Sequence, residues 1–134
     1  MNYAPVHTLC SKMRYFLAVN FWPKGISAGR CAETSVFVTT ILIETFPQYP
    51  WRSIAGTFSR DPDPVVRTND YHCWTTDDKI IIDLTADQFD TTISDVLFVP
   101  VSDRRYLGDC TNPSIYAHTK RYLAYWREAY PLVG

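Results

Sequence analysis

The stretch DYHCWTTDDKIIIDLTADQF, residues 70 to 89, decides how the fold of this chain is interpreted. Two largely apolar segments, about residues 71–76 and 79–84, predict a pair of β-strands. The Asp-Asp step between them predicts the tip of an antiparallel hairpin. His72 and Asp83 stand out in these strands, because an imidazole and a carboxylate need a physical reason to lie among apolar residues.

A tip at Asp77 and Asp78 places His72 directly opposite Asp83 on one face, with Cβ atoms roughly 4.5–5.5 Å apart. The imidazole would satisfy the carboxylate, and the carboxylate would fix the imidazole tautomer and favour its protonated form. On these residues alone, the pair is either a structural device in the sheet or part of a catalytic site. The same face carries Trp74 and Ile81, and the opposite, core-facing side carries Tyr71, Cys73, Ile80, Ile82 and Leu84.

The nucleophile candidate is Cys31, which follows SAGR and precedes a long apolar run. That run predicts a buried helix from about Arg30 to Thr45. At the helix N-terminus, the macrodipole and free backbone N–H groups favour a thiolate and can form an oxyanion hole. A Cys, an imidazole base and a carboxylate that orients the base are what nucleophilic acyl chemistry requires. The alternative is that Cys31 is a small buried hydrophobe.

The remaining segments predict an α+β fold with helices packed on an antiparallel sheet. A helix is predicted from residue 4 to about residue 20, with Lys12 and Arg14 off its apolar stripe. Asn112 as N-cap and Pro113 at the first helical position predict a C-terminal helix. Further predicted features are a turn at Pro23 and Gly25, a strand in WRSIAGTF, residues 51–58, and a strand over residues 96–101.

The length of 134 residues predicts one domain over residues 1–134. The net charge of −1 gives no reason to expect binding to nucleic acid or to an acidic membrane. No stretch approaches the ~20 continuous apolar residues of a membrane span, and Met1 is not followed by a signal-peptide pattern. We therefore expect a cytoplasmic protein with free thiols, unless the chain is a secreted effector or the mature form of a secreted protein.

The four cysteines, Cys10, Cys31, Cys73 and Cys110, form no CxxC pair and no Cys–His group with structural-zinc spacing. Cys10 and Cys73 are predicted to lie in the core, and Cys110 in a loop. A metal site built from Cys31, His72 and Cys73 is disfavoured, because adjacent strand residues point to opposite faces. The sequence therefore implies no metal and no organic cofactor.

Three short motifs, GRCAETS, HCW and IIDLT, together resemble the transglutaminase-like branch of the papain-like cysteine enzymes. In that family a Cys opens a buried helix, a His lies in an HxW strand, and an Asp lies in a DxT segment of the next strand. The resemblance covers less than half of the chain. It maps onto Cys31, onto His72 with Trp74, and onto Asp83 with Thr85.

The resemblance implies a papain-like fold and a thioester intermediate. Cys31 would be the nucleophile, His72 its base and later the acid, and Asp83 the residue that orients His72. The substrate would be a peptide or protein amide. Attack by water would give a protease, amidase or deamidase and needs no second binding site, whereas an amine acceptor would give a transglutaminase.

Four further residues are candidates for substrate binding or for the oxyanion hole. Papain-like sites often have a polar side chain upstream of the Cys, for which Asn20 and Trp22 are candidates, and Trp74 shares the His72 face. Gln88 follows Asp83 and could approach the site, although a helix cap or loop contact is the favoured interpretation.

A different class of function also stays open. Aromatic residues make up 15% of the chain, which suits a catalytically silent papain-like module that binds a peptide or protein partner in a groove. The oligomeric state is left open by the sequence.

Overall fold

Helices and strands alternate in blocks along the part of the chain that the computed structural model describes, which is residues 2–25, 27, 29–90, 92–111 and 117–131. Side chains are described except at residues 109–111, 117 and 118. The helices are α1 (Ala4–Asn20), α2 (Cys31–Thr45) and α3 (Ala117–Ala129). The strands are β1 (Arg52–Phe58), β2 (Asp70–Thr76), β3 (Ile80–Asp83), β4 (Leu97–Pro100) and β5 (Tyr106–Thr111).

These elements confirm the predicted α+β class, with every neighbouring pair of strands antiparallel in the order β4-β3-β2-β1-β5. The predicted start of the C-terminal helix, at Asn112 and Pro113, lies outside the described residues. No described helix is long and apolar enough to cross a membrane.

Strand β5 was not predicted, and Cys110 lies in this strand rather than in a loop. Gly108 and Asp109 are residue types that strands disfavour, so local propensity gives little sign of it. The strand forms because β1 supplies a hydrogen-bonding edge, with a register shift between Ala55 and Gly56.

The predicted register of the β2–β3 hairpin is wrong by two residues. Thr75 pairs with Ile82 rather than with Ile80, so the tip lies at Asp78 and Lys79. The Asp77 carboxylate causes this shift, because it accepts hydrogen bonds from the backbone N–H groups of Lys79 and Ile80, both at 2.9 Å. A shift of two residues preserves the faces of both strands.

Each face of the sheet packs against its own apolar cluster. The helical side buries residues of all three helices together with Ile82 and Leu84 of the sheet segment. The other side buries Ile54, Phe58, Trp74, Ile81 and Tyr106, with Leu97 and Val99 packed against them. Since Tyr106 lies on edge strand β5 and Leu97 on edge strand β4, the sheet must curl to bring its two edges to one cluster.

Gly56 permits the close approach of β1 and β5 in this curled sheet. A Cβ atom at this position would lie 2.1 Å from the Leu107 carbonyl oxygen and 2.8 Å from the Trp74 ring. Neither contact is sterically possible without movement of the backbone, so a larger residue at position 56 would separate the strands.

Arg14 is buried, although it lies off the apolar stripe of α1. Its guanidinium makes two hydrogen bonds to the Asp87 carboxylate, at 2.9 and 3.0 Å, and one to the Leu84 carbonyl, at 2.6 Å. It also lies 4.8 Å from the centre of the Trp22 ring. Paired in this way, Arg14 joins α1 to the 3₁₀ turn that follows β3, Ala86–Gln88.

We expect Arg14→Met to lower the free energy of unfolding by about 3 kcal/mol, because it leaves the Asp87 carboxylate without its buried partner. Lys12→Met is the matched control, since Lys12 is an exposed basic residue of the same helix. The control should stay within about 0.5 kcal/mol of the wild type. Urea unfolding of the three proteins measures both values, and equal losses would contradict the role given to Arg14.

Candidate functional site

The centre of the site is a buried hydrogen bond between His72 Nε2 and Asp83 Oδ2, 2.7 Å long. The two side chains are 0% and 1% exposed. The Tyr106 hydroxyl donates to the same carboxylate oxygen at 2.6 Å, and the Thr85 backbone N–H donates to Oδ1 at 2.9 Å. The carboxylate therefore has donors for both oxygen atoms, which its burial requires.

These contacts keep Asp83 ionised. Burial by itself would raise its pKa, but the charge interaction and hydrogen bond with His72, together with the Tyr106 and Thr85 hydrogen bonds, lower it below its usual value. The same charge raises the pKa of the Tyr106 hydroxyl, in addition to the effect of burial on that group. Tyr106 thus remains a donor to the carboxylate.

The carboxylate also determines the tautomer of His72. An ionised carboxylate can only accept, so the proton of this hydrogen bond is on Nε2. In the neutral ring, Nδ1 then carries a lone pair. That is the nitrogen a general base would use.

Gln88 connects Nδ1 to the segment that leads into α2. Its Nε2 lies 3.4 Å from His72 Nδ1, and its Oε1 accepts a hydrogen bond from the Gly29 backbone N–H at 3.1 Å. Gly29 is two residues before Cys31. The loop contact and the approach to the site that the sequence offered as alternatives for Gln88 therefore both occur.

Aromatic rings enclose His72. Phe89 packs edge-on at 4.9 Å between ring centres, Phe58 lies at 5.7 Å and Trp74 at 6.2 Å. Trp74, predicted on the same face, packs edge-on against Tyr106. The imidazole consequently has no contact with solvent in this structure.

Cys31 is the first residue of α2, as the sequence predicts, and is 9% exposed. Its side chain lies beside that of Cys73, and both residues line one small cavity. No described contact joins Cys31 to His72. The reason is strand alternation, because α2 packs on the face of β2 that carries Cys73 and Thr75, whereas His72 and Trp74 lie on the other face.

The two thiols share a protonation equilibrium. The interaction with the Cys31 thiol lowers the pKa of Cys73 to about 7 despite burial, with further contributions from the Tyr71 hydroxyl and from His72. The same interaction and burial raise the pKa of Cys31. One thiol of the pair therefore ionises easily, and the second is held protonated beside it.

The upstream oxyanion candidates lie elsewhere. Asn20 is exposed and donates from Nδ2 to the Phe16 carbonyl in its own helix, at 2.9 Å. Trp22 is buried under Arg14, and its Nε1 has no hydrogen bond of good geometry. No described contact joins either residue to Cys31.

Sequence reasoning did not find the contact between Cys31 and Cys73 or the role of Tyr106. Cys73 was correctly placed in the core, where it is 1% exposed, but its partner depends on how α2 lies on the sheet. Tyr106 reaches Asp83 from 23 residues away in the sequence. No local pattern signals either contact.

No protein-family model, no curated protein and no solved structure matches this chain. Among the described side chains, no group of three or more His, Cys, Asp or Glu residues is arranged to hold a metal ion. The resemblance to papain-like enzymes therefore rests on the residues of the chain itself.

We expect Asp83→Asn to lower the free energy of unfolding by about 3–5 kcal/mol at pH 7, because it removes one partner of a buried pair. The folded-state pKa of Asp83 is lowered, so its contribution is fully present above the unfolded pKa of about 3.9 and is lost as the pH falls through the folded value. The difference in the free energy of unfolding between wild type and Asp83→Asn should therefore narrow below about pH 4, as measured by urea unfolding from pH 2 to 7.

Asp78→Asn provides the control for this series, because Asp78 is half-exposed in the hairpin tip and pairs with Arg52 at the surface. It should change stability by less than about 1 kcal/mol. If the free energies of unfolding of wild type and Asp83→Asn differ by the same amount over the whole pH range, the carboxylate charge is not what stabilises the fold.

Proposed function

We propose that this protein is a cysteine-dependent acyl-transfer enzyme that acts on a peptide-type amide, with Cys31, His72 and Asp83 in a papain-like arrangement. The observation that carries the proposal is the orientation of the imidazole, that is, which of its two nitrogen atoms Asp83 binds. Asp83 holds Nε2, and the opposite nitrogen meets Gln88, which binds Gly29 in the segment leading into Cys31. An oriented base facing the nucleophile's loop is the feature that a merely structural His–Asp pair does not need.

The reaction would begin with attack of Cys31 Sγ on the amide carbonyl as its proton passes to His72 Nδ1. Asp83 stabilises the resulting imidazolium. The first-turn N–H groups of α2 have no helical partners and can bind the developing oxyanion. His72 then protonates the leaving amine, and water hydrolyses the thioester.

This step requires Cys31 and His72 to come together, because no described contact joins them in the resting structure. Cys31 must turn away from Cys73, and the Gln88 amide must release His72 Nδ1. The Gln88 contact is weak, since 3.4 Å is long for a hydrogen bond. Once released, the Gln88 amide nitrogen is a donor next to the reacting centre, which agrees with its candidacy for the oxyanion site.

Acylation by p-nitrophenyl acetate tests the proposal directly. The wild type should gain one acetyl group on Cys31, located by peptide mass spectrometry after an acid quench. His72→Gln should slow nitrophenolate release about 10²–10⁴-fold, because it removes the base. His7→Gln is the matched control, since His7 is an exposed imidazole on α1, and it should react like the wild type.

A second candidate function is a binding module without chemistry, which the complete burial of His72 favours. Its binding surface would be the groove between α1 and α3, where Tyr15, Tyr125 and Tyr130 are 71%, 50% and 43% exposed. Asn20 lines this groove. Absence of an acetyl group on Cys31, or equal rates in wild type and His72→Gln, would overturn acyl transfer and favour this function.

Gln88→Ala should increase the rate at which iodoacetamide alkylates Cys31 about 2- to 10-fold, because a hydrogen bond worth about 0.5–1.5 kcal/mol no longer occupies Nδ1. Gln48→Ala is the control, since Gln48 is exposed in the loop after α2. Alkylation is followed by mass spectrometry at pH 7. An unchanged rate in Gln88→Ala would mean that Nδ1 does not act on Cys31.

A further inference from the structure

Cys31 and Cys73 meet across the interface between α2 and the sheet. Their side chains are neighbours and line the same small cavity. The Cys73 Sγ atom also lies 3.3 Å from the Tyr71 hydroxyl oxygen, in a hydrogen bond. Two thiols from separate elements of the fold are thus held at one cavity.

A stripe of small polar pairs sets the position of this contact. Ser35 Oγ lies 2.8 Å from Ser53 Oγ, and Thr39 Oγ1 lies 2.9 Å from Thr75 Oγ1. Cys31, Ser35 and Thr39 are four residues apart and so share one face of α2. These two hydrogen-bonded pairs hold the helix on the sheet, and the thiol pair continues the row at the helix N-terminus.

A small cavity at the thiol pair provides room for the sulfur atoms to move. Cys31, Cys73 and Thr34 are among the residues that line it. Thr34 is 2% exposed, and its hydroxyl oxygen is buried without a hydrogen-bond partner. The packing is therefore incomplete at the point where two side chains would have to rotate to bond.

We propose that Cys31 and Cys73 form a reversible disulfide by exchange with a small-molecule disulfide. A disulfide requires the sulfur atoms to approach to about 2.05 Å. Both thiols already line one small cavity, on elements whose relative position is set by the two hydroxyl pairs. This activity is separate from acyl transfer and does not depend on it.

The exchange proceeds in two balanced steps. Cys31, the more exposed thiol, passes its proton to the Cys73 thiolate and attacks one sulfur of the small disulfide, forming a mixed disulfide and releasing one small thiolate, which takes up the proton from Cys73. The Cys73 thiolate then attacks Cys31 Sγ, forming the protein disulfide and releasing the second small thiolate. The protein loses two electrons and two protons, and the small disulfide becomes two thiols.

The lowered pKa of Cys73 suits it to the second step, because a substantial thiolate fraction is present near neutral pH. Cys10 is a poor competitor. It is fully buried among the helices, and burial raises the pKa of its thiol.

Oxidation would also switch off the site proposed above, since a sulfur in a disulfide cannot attack a carbonyl. This consequence rests on the acyl-transfer proposal, whereas the disulfide does not. Acetyl transfer measured on the reduced protein therefore tests the acyl-transfer proposal, and disulfide formation tests the disulfide proposal.

The experiment is a redox titration of the full chain with mixtures of oxidised and reduced glutathione. Samples are quenched in acid, alkylated with N-ethylmaleimide and digested without reduction. We expect the loss of two hydrogen masses, a cross-linked peptide that joins Cys31 to Cys73, and complete reversal by dithiothreitol. This measurement on the wild type does not depend on whether any variant folds.

Two pairs of variants sharpen the result. Cys31→Ser and Cys73→Ser should each abolish the internal disulfide, and Cys73→Ser should accumulate the glutathione adduct on Cys31. Cys10→Ala and Cys110→Ser should retain the disulfide. The proposal is overturned if Cys31 and Cys73 remain alkylated in oxidised glutathione, or if the bond formed involves Cys10 or Cys110.

Discussion

The burial of one carboxylate, that of Asp83, is the constraint on which the rest of the structure depends. An ionised group removed from water must receive donors from the protein. His72 supplies one from β2, Tyr106 another from the far edge of the sheet, and Thr85 a third from the backbone. Satisfying Asp83 therefore requires β5 to come round toward β3, which the curled sheet accomplishes.

In this curled sheet, the two faces of β2 lie in chemically different environments. One face of β2 presents His72 to a closed aromatic cluster, and the other presents Cys73 to the N-terminus of α2. His72 and Cys73 are adjacent residues, yet their side chains point to opposite faces of the strand. Gln88 spans this separation because Arg14 and Asp87 hold its turn beside both the imidazole and the loop that leads into Cys31.

Much of the fold could be predicted because it follows from local periodicity. The bounds of α1 and α2, the two strands of the central hairpin and the pairing of His72 with Asp83 all agree with the structure. The pairing was correct although the register was wrong, because a slip of two residues leaves each side chain on its face. The side chain at Asp77 decided the turn, and that contact was not anticipated.

By itself, the sequence determined most of the helices and strands and most of the residues that face a core, because the spacing of apolar side chains expresses both directly; the exceptions are β5 and Tyr71, which is exposed. Only the tertiary structure decided that Arg14 is buried, that β5 joins β1, and that Cys31 meets Cys73 rather than His72. Each of these contacts joins residues far apart in the chain. They depend on how whole elements lie against one another, and no short pattern of residues encodes that arrangement.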